Sequence, residues 1–247
     1  MLATNSILKR LPSELDRKQL LFFDGMRHAV EIVSLAHSRL QATLTRIALS
    51  EEGAQLGHEF TLAFLDAWAI VDAIDRFRSL WKFAPGAVDD PSFEKITQPI
   101  RDLRNVSDHL AQRSEYVVAR AGTALGILSW CTALREDGCE GYICTIVPGT
   151  QQSGRHQVMN PAGRPWKYPT SMIELAAGEY RACLCDMLPP IGVRVRQLEI
   201  SIENALAQHG FVGRQGGTDL LIRMQIKANH TGNVQDDDEG KLSGGLA

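Results

Sequence analysis

Two ionisable side chains, Arg104 and His109, stand five residues apart and have types suited to phosphoryl chemistry. A guanidinium is permanently charged and binds phosphate oxygens, while an imidazole gains or loses a proton near neutral pH. Asn105 follows the arginine and precedes the histidine by four residues, which places these last two on one side of a helix. The same spacing also fits the solvated face of an ordinary helix, and the residues alone leave both interpretations open.

The pair lies on a predicted helix within the region from Phe93 to Ala121. Apolar residues recur along one side at three- and four-residue steps, and polar residues occupy the other side. We expect this helix to continue through Ala119. Arg104 and His109 would then lie roughly 140° apart around the helix axis and flank a polar face. That face also carries Arg101, Asn105 and Asp108.

Two long amphipathic helices are predicted upstream of the motif. The first begins at Ser13 as N-cap, with Asp16 at its third position, and keeps its apolar spacing to Ile47. The second runs from about Gly57 to Lys82 and is apolar nearly all round, so it should be the most buried of the helices. With the motif helix they fit an antiparallel bundle.

Asp66, Asp72 and Asp75 interrupt the apolar surface of the second helix, and a buried carboxylate needs a partner. Pairing of Asp72 or Asp75 with Arg104 would meet this need and would also orient the guanidinium. Alternatively, these carboxylates reach solvent or an arginine on their own helix.

The order Arg104-Asn105-x-x-x-His109 resembles the Arg-x4–6-His signature of the HEPN superfamily, helical domains of many bacterial ribonucleases, toxins and defence proteins. The resemblance covers residues 13–121. It implies a homodimer with both motifs in one cleft, where RNA is cleaved by attack of its ribose 2′-hydroxyl, without a metal or other cofactor. His109 would act as base or acid, Arg104 would stabilise the phosphate, and Asn105 and Asp72 would orient them. An antitoxin or other partner protein is a further expectation.

HEPN-like domains also occur without activity, so the alternative function is a dimerisation or partner-binding module. Its polar face would then be an interface network in which Arg104 pairs with Asp72 or Asp75. A third hypothesis is a small-molecule or nucleotide site that uses the basic loop 151–169. In the nuclease hypothesis the RNA-binding residues would be Arg101, Asp108, Arg155 and Trp166.

After Gly122 the pattern changes from helical to β. Residues 125–134 and 142–147 are predicted to form a hairpin, because Asp137-Gly138 between them favours a turn. Further strands are predicted at 171–175, 180–187 and 219–228, with a helix that starts at Pro189-Pro190.

The predicted fold class is α+β: an N-terminal antiparallel bundle of long helices, then a mostly antiparallel β-sheet with one covering helix. We place the bundle at 13–121 and the sheet region at 122–228. The acidic, Gly-rich end, 229–247, has too few apolar residues to order itself. Whether the sheet packs on the bundle or forms a second domain stays open.

The composition is that of a globular protein, with 247 residues of which 44% are hydrophobic and 22% charged. A net charge of −3 and a pI near 6.2 argue against a dedicated nucleic-acid binder, so any RNA contact would be local. The five cysteines lack the spacing of zinc ligands and are predicted to be free, reduced thiols. No apolar run is long enough for a leader peptide or a membrane span, which predicts a cytoplasmic protein with no membrane contact.

Overall fold

The chain folds as an α+β protein, as predicted. The computed structural model describes residues 1–12, 15–84, 90–112, 114–119, 123–149, 159–161, 163–208, 210 and 219–223. Within these residues, four α-helices lead the chain, four β-strands follow, and a fifth α-helix comes after the strands.

The first two helices are α1 (Arg17–Ala48) and α2 (Gly57–Trp81), close to their predicted bounds. The predicted start of α1 is wrong, because Asp16 is the N-cap of the helix and not its third residue. The Asp16 carboxylate accepts hydrogen bonds from two backbone N–H groups of the first turn. A carboxylate is favoured there by both hydrogen bonding and the helix dipole. Ser13, the predicted cap, lies outside the described residues.

Two contacts fix the antiparallel register of α1 against α2. A Cβ at Gly25 would come within 2.7 Å of Leu80 Cδ1, so the absent side chain lets the helices approach closely. Further along, Arg39 of α1 lies 3.0 Å from the carboxylate of Asp66 on α2. The two contacts lie near opposite ends of the helix pair and so oppose sliding.

The motif helix ends earlier than predicted. Helix α3 spans Pro91–Asp108, and His109 is its C-cap with φ −113° and ψ 23°. A separate short helix, α4, spans Ser114–Ala119. The expectation of one helix through Ala119 is therefore wrong. The physical reason is that no large apolar residue stands between Leu110 and Tyr116, so the buried stripe on which a helix of this length depends is interrupted there.

The sheet contains four antiparallel strands in the order β2–β1–β3–β4. Their bounds are Ile127–Ala133 for β1, Gly141–Ile146 for β2, Thr170–Ala177 for β3 and Tyr180–Cys183 for β4. The predicted hairpin is confirmed, because β1 pairs with β2 from Leu128 opposite Ile146 to Ala133 opposite Gly141.

The chain passes from β4 directly into the last helix, α5 (Leu184–Gln208). The strand predicted over 180–187 therefore ends at Cys183, and the predicted helix start at Pro189 is five residues too late. Pro189 and Pro190 lie inside α5. Because proline has no N–H, the carbonyls of Cys185 and Asp186 receive no helical hydrogen bond from them. A proline pair thus marks the second turn of this helix and not its start.

The strand predicted over 219–228 is not formed in its described half. Residues 219–223 have no strand conformation. Alternating apolar residues predict a strand only where a neighbouring strand supplies backbone partners, and none pairs with these five residues in the described structure. Residues 224–228 and the predicted tail, 229–247, lie outside the described residues.

Helices and sheet share one hydrophobic core, so the sheet packs on the bundle. Met1–Gly217 forms a single compact unit. Buried side chains from the long helices and the strands belong to one cluster, which includes Phe77, Ile100, Leu128, Leu175 and Leu198. None of the described helices combines the length and apolar character needed to cross a lipid bilayer.

A relay of hydroxyl groups ties α1 to the sheet. The indole of Trp130 donates to Thr132 Oγ1 at 3.1 Å, and the hydroxyls of Thr132 and Thr170 are 2.9 Å apart. The Thr170 hydroxyl is also 2.7 Å from that of Thr45 on α1, and the Gln41 amide donates to the Thr170 carbonyl at 2.9 Å. This hydroxyl relay holds the C-terminal half of α1 against the start of β3.

Replacing Thr170 by Val should interrupt the hydroxyl relay while preserving the shape of the side chain. The hydroxyls of Thr132 and Thr45 each lose a partner, so we expect the free energy of unfolding to fall by about 1–3 kcal/mol. Urea denaturation measures this loss. The matched control is Thr61→Val on an exposed part of α2, which should change stability by less than about 0.5 kcal/mol. Equal losses in the two variants would contradict a structural role for the relay.

Candidate functional site

Helix α3 carries the motif residues along the edge of its buried stripe. Its N-cap is Asp90, whose carboxylate accepts the Phe93 N–H at 3.1 Å. Arg194 of α5 donates to the same carboxylate at 2.6 and 2.9 Å and lies 4.9 Å from the centroid of the Phe93 ring. These contacts, with the fully buried Leu103, fix the rotation of α3. Arg104, the next residue, therefore faces α2.

Three carboxylates surround the Arg104 guanidinium. Arg104 Nη1 donates to Asp75 Oδ2 at 2.6 Å. Arg104 Nε lies 3.5 Å from Asp72 Oδ1 and 3.6 Å from Asp108 Oδ2. The first two aspartates are one turn apart on α2, and Asp108 is one turn beyond Arg104 on α3. The predicted pairing of Arg104 with Asp72 or Asp75 is confirmed, and both aspartates take part.

Asp75 anchors the Arg104 cluster, which consists of Arg104 and these three aspartates. The Asp75 side chain is only 8% exposed, whereas the Arg104 side chain is 40% exposed. The hydrogen bond to Asp75 raises the pKa of Arg104, so the guanidinium is charged at any accessible pH. Partial burial raises the pKa of Asp72, and the nearby Arg104 opposes that shift. Asp75 Oδ1 and Arg104 Nε are buried without a hydrogen-bond partner in the described structure. The cluster thus holds more acid than base and does not use all of its hydrogen-bonding capacity.

The other motif residues face solvent. Asn105, Asp108 and His109 are exposed, as is Arg101 one turn before them. Because His109 caps α3, the roughly 140° separation of a continuous helix does not describe its relation to Arg104. Within the described residues, no hydrogen bond or ion pair holds the side chains of Asn105 or His109. Both side chains are therefore accessible to solvent.

The residues proposed from the loop 151–169 are not gathered around Arg104. Trp166 packs against the β1–β2 hairpin, where a Cβ at Gly141 would collide with its ring. Arg164 donates to the two carboxylate oxygens of Asp186 on α5, at 2.7 and 2.9 Å. Arg155 lies outside the described residues. One face of Trp166 is therefore covered by protein, and no interaction in the described part of the loop joins it to the Arg104 cluster.

Two polar contacts of α2 could not be predicted from the sequence. Asp66 is buried, and its partner is Arg39 on α1; burial raises the pKa of Asp66 and Arg39 opposes the shift. Arg78 is 5% exposed and donates to Gln98 Oε1 at 3.0 Å. Burial of a charged residue on an apolar helix signals the need for a partner, but it does not identify that partner.

The described residues contain no group of three or more Asp, Glu, His or Cys side chains placed to hold a metal ion. No family model, curated protein or solved structure matches the chain. The resemblance to HEPN domains therefore rests on the motif residues, and a functional argument has to rest on the geometry of the Arg104 cluster.

Replacing Arg104 by Met should leave the Asp75 carboxylate buried without its ion-pair partner. We expect the free energy of unfolding to fall by about 2–4 kcal/mol, since removing one member of a buried pair strands the other charge. Urea denaturation measures the change. Adding Asp75→Asn to the same chain should recover part of the loss, because the stranded charge is gone.

The matched control is Lys95→Met, which removes an exposed cation from the same helix. Its effect should stay within about 0.5 kcal/mol. If Arg104→Met is no more destabilising than this control, the Arg104–Asp75 contact does not stabilise the fold.

Proposed function

We propose that the chain is a HEPN-like interaction module that forms homodimers through the polar face of α3 and does not depend on catalysis. The observation that carries this proposal is the environment of Arg104. Its guanidinium already binds Asp75 at 2.6 Å and has Asp72 and Asp108 within 3.6 Å. A cation that is engaged by three carboxylates is poorly placed to stabilise a phosphate.

The local charge explains why. Three carboxylates lie within 3.6 Å of Arg104, and Arg76 is a second guanidinium that acts on Asp72, so acids still outnumber bases and disfavour a phosphodiester here. Such repulsion is screened only beyond about 8–10 Å at physiological salt, and a bound phosphate would lie closer than that. An RNA phosphate that took the Nη1 hydrogen bond of Arg104 would displace Asp75, which is mostly buried and would then be left unpaired.

The same charges suit an interface between two copies. A two-fold axis places the same patch of both protomers in contact, so acids and bases on one face can satisfy each other across the axis. Exposed acids are supplied by Asp72 and Asp108, and an exposed cation by Arg101, which lies on the same polar face. Arg101 of each copy would then meet the surplus carboxylates of the other.

Reversing the charge of Arg101 should weaken the homodimer. We expect sedimentation equilibrium to show a dimer for the wild type, with Arg101→Glu raising the dissociation constant roughly tenfold or more, because a cross-axis attraction becomes a repulsion. Arg196→Glu makes the same charge change on an exposed part of α5 and should leave the constant unchanged. A wild type that is monomeric at high concentration would reject the dimer.

A metal-independent endoribonuclease of toxin or defence type is the second candidate, and the exposure of Asn105 and His109 favours it. In that reaction an imidazole takes the proton of the ribose 2′-hydroxyl, and the oxygen attacks the adjacent phosphate. A second proton donor is needed for the leaving 5′-oxygen, and the His109 of a symmetry-related copy could supply it. Arg104 would have to turn part of its exposed edge to the phosphate.

The two functions differ in what His109→Ala does to RNA turnover. For the interaction module, purified wild-type protein and His109→Ala should degrade a generic single-stranded RNA at the same background rate. For the nuclease, wild type should cleave it and His109→Ala should lose about 100-fold or more, the usual contribution of a general acid or base. Gel-resolved cleavage in the presence of a chelator measures the rate. Cleavage that needs His109 would replace the interaction module by the nuclease.

A further inference from the structure

A second cluster of reactive side chains lies at the start of α5 and includes none of the motif residues of α3. Cys183 is the last residue of β4, and Cys185 is the second residue of α5. The Cys185 sulfur lies 3.6 Å from His37 Nε2 on α1. Cys183 and Cys185 are separated by one residue, and each side chain shifts the pKa of the other. Cys183, Cys185 and His37 are all half-buried, so this thiol cluster is within reach of a small reagent.

The fold brings these residues together from three places in the chain. Because β4 runs into α5 without a loop, Cys183 and Cys185 occupy one strand-to-helix corner. His37 lies on the same side of α1 as Gln41 and Thr45, at four-residue steps. Those two residues contact Thr170 through the hydroxyl relay. The relay that docks α1 on β3 thereby also directs His37 toward the corner.

The surroundings of Cys185 favour its thiolate. The interaction with Cys183 is the largest influence, and the His37 imidazole and the Ile173 backbone N–H add to it. Together they outweigh the effect of burial and lower the pKa of Cys185. The N-terminus of the 25-residue helix α5 acts in the same direction. The pKa of Cys183 is raised, mainly because its proton is held by Cys185.

The other cysteines lack this environment. Burial raises the pKa of Cys131 to about 11 and also raises that of Cys144. Cys139 is exposed, but hydrogen bonding to Asp137 raises its pKa. Nothing in these three sites stabilises a thiolate. Cys185 is therefore distinguished by its partners and not by its exposure.

The charged neighbours of the thiol cluster largely offset one another. Asp186 follows Cys185 and would repel a thiolate, but Arg164 binds both of its oxygens. Arg164 also interacts with Cys183. Glu174 lies opposite Cys183 in the sheet and has Arg181 at 3.7 Å. The hydrogen-bond donors around Cys185 are thus not cancelled by an unpaired acid.

We propose that Cys183 and Cys185 form a redox-active dithiol whose substrate is a small-molecule disulfide, with Cys185 as the attacking sulfur and Cys183 as the resolving sulfur. The proposal stands on the joint placement of two sulfurs, an imidazole and a helix N-terminus at one accessible corner. It does not depend on the function proposed for α3.

The reaction is a two-electron exchange in two steps. The Cys185 thiolate attacks one sulfur of the disulfide, whose S–S bond breaks; a mixed disulfide forms on Cys185 and the first thiolate leaves. Cys183 then gives its proton to His37 or to water and attacks the Cys185 sulfur. The mixed disulfide breaks, the second thiolate leaves, and a Cys183–Cys185 disulfide forms. The dithiol is oxidised and the small disulfide is reduced to two thiols.

The second step joins two cysteines that are one residue apart at the same strand-to-helix corner. The backbone can adjust as well, since Pro189 and Pro190 leave the carbonyls of Cys185 and Asp186 without helical hydrogen bonds. The first turn of α5 is therefore less tightly tied to the helix than an ordinary first turn.

The first test ranks the cysteines of the reduced wild-type protein by their alkylation rates with iodoacetamide at pH 6, resolved by peptide mass spectrometry. A thiol of lower pKa is more often ionised, but its thiolate is intrinsically less nucleophilic. We therefore expect Cys185 to be alkylated roughly tenfold faster than the exposed Cys139. His37→Gln should slow Cys185 roughly threefold at pH 6 and much less at pH 9, where the thiolate forms without help.

His28→Gln, an exposed histidine on the same helix, is the matched control and should leave the Cys185 rate unchanged. Faster alkylation of Cys139 than of Cys185 in the wild type would overturn the proposal. This comparison needs no variant, so it holds even if a substitution disturbs folding.

The second test incubates the reduced protein with oxidised glutathione without oxygen. Wild type should yield a Cys183–Cys185 disulfide, and Cys183→Ser should accumulate glutathione on Cys185, because the resolving thiol is absent. Cys185→Ser should give neither product, and Cys139→Ser should behave as wild type. A Cys183→Ser protein that takes up glutathione at other cysteines but not at Cys185 would overturn the assignment of the attacking sulfur.

Discussion

The burial of α2 between α1 and α3 is the constraint on which the rest of the structure depends. A helix that is covered on two sides has little surface left for charge, so each buried acid on it needs a cation from a neighbour. Asp66 takes Arg39 from α1, and Asp75 takes Arg104 from α3. These ion pairs follow from the apolar character of α2, and they also fix which residues of its neighbours can face it. A mismatch of one turn would strand a buried carboxylate, so the pairs contribute more to the uniqueness of the packing than to its net stability.

The parts of the fold that sequence predicts are those that depend on local periodicity. The extents of α1 and α2 follow from their apolar spacing, and the β1–β2 hairpin follows from two β-rich runs about Asp137-Gly138. The ends of helices and strands are less predictable, because they depend on where along the chain the tertiary contacts stop. The apolar residues of 180–187 serve a strand as far as Cys183 and a helix afterwards, and both elements bury them in the same core. Periodicity over so few residues cannot distinguish the two, and Pro189 suggests a later start than the core contacts impose.

The candidate site was predictable in part for the same reason. The need of Asp72 and Asp75 for a cation is visible in the sequence, and Arg104 is a suitable partner on the next long helix. The involvement of Asp108 as a third carboxylate also follows from helical spacing. The position of His109 could not be predicted from helical spacing, because it depends on where α3 ends. The contact of His37 with Cys185 spans 148 residues and joins elements with no shared pattern, so no inspection of spacing could supply it.

The two clusters differ in how completely their reactive group is neutralised, and this difference bears on which of them can do chemistry. Three carboxylates surround the Arg104 guanidinium, and their negative charge disfavours the binding of another anion. At Cys185 the balance is reversed, because hydrogen-bond donors converge on one sulfur while the nearest acid, Asp186, is bound by Arg164. An enzyme stabilises charge that develops during a reaction, so it needs groups whose capacity is not already spent. By that criterion the interaction module proposed for α3 and the dithiol chemistry proposed for the corner between β4 and α5 both follow from this difference in charge balance.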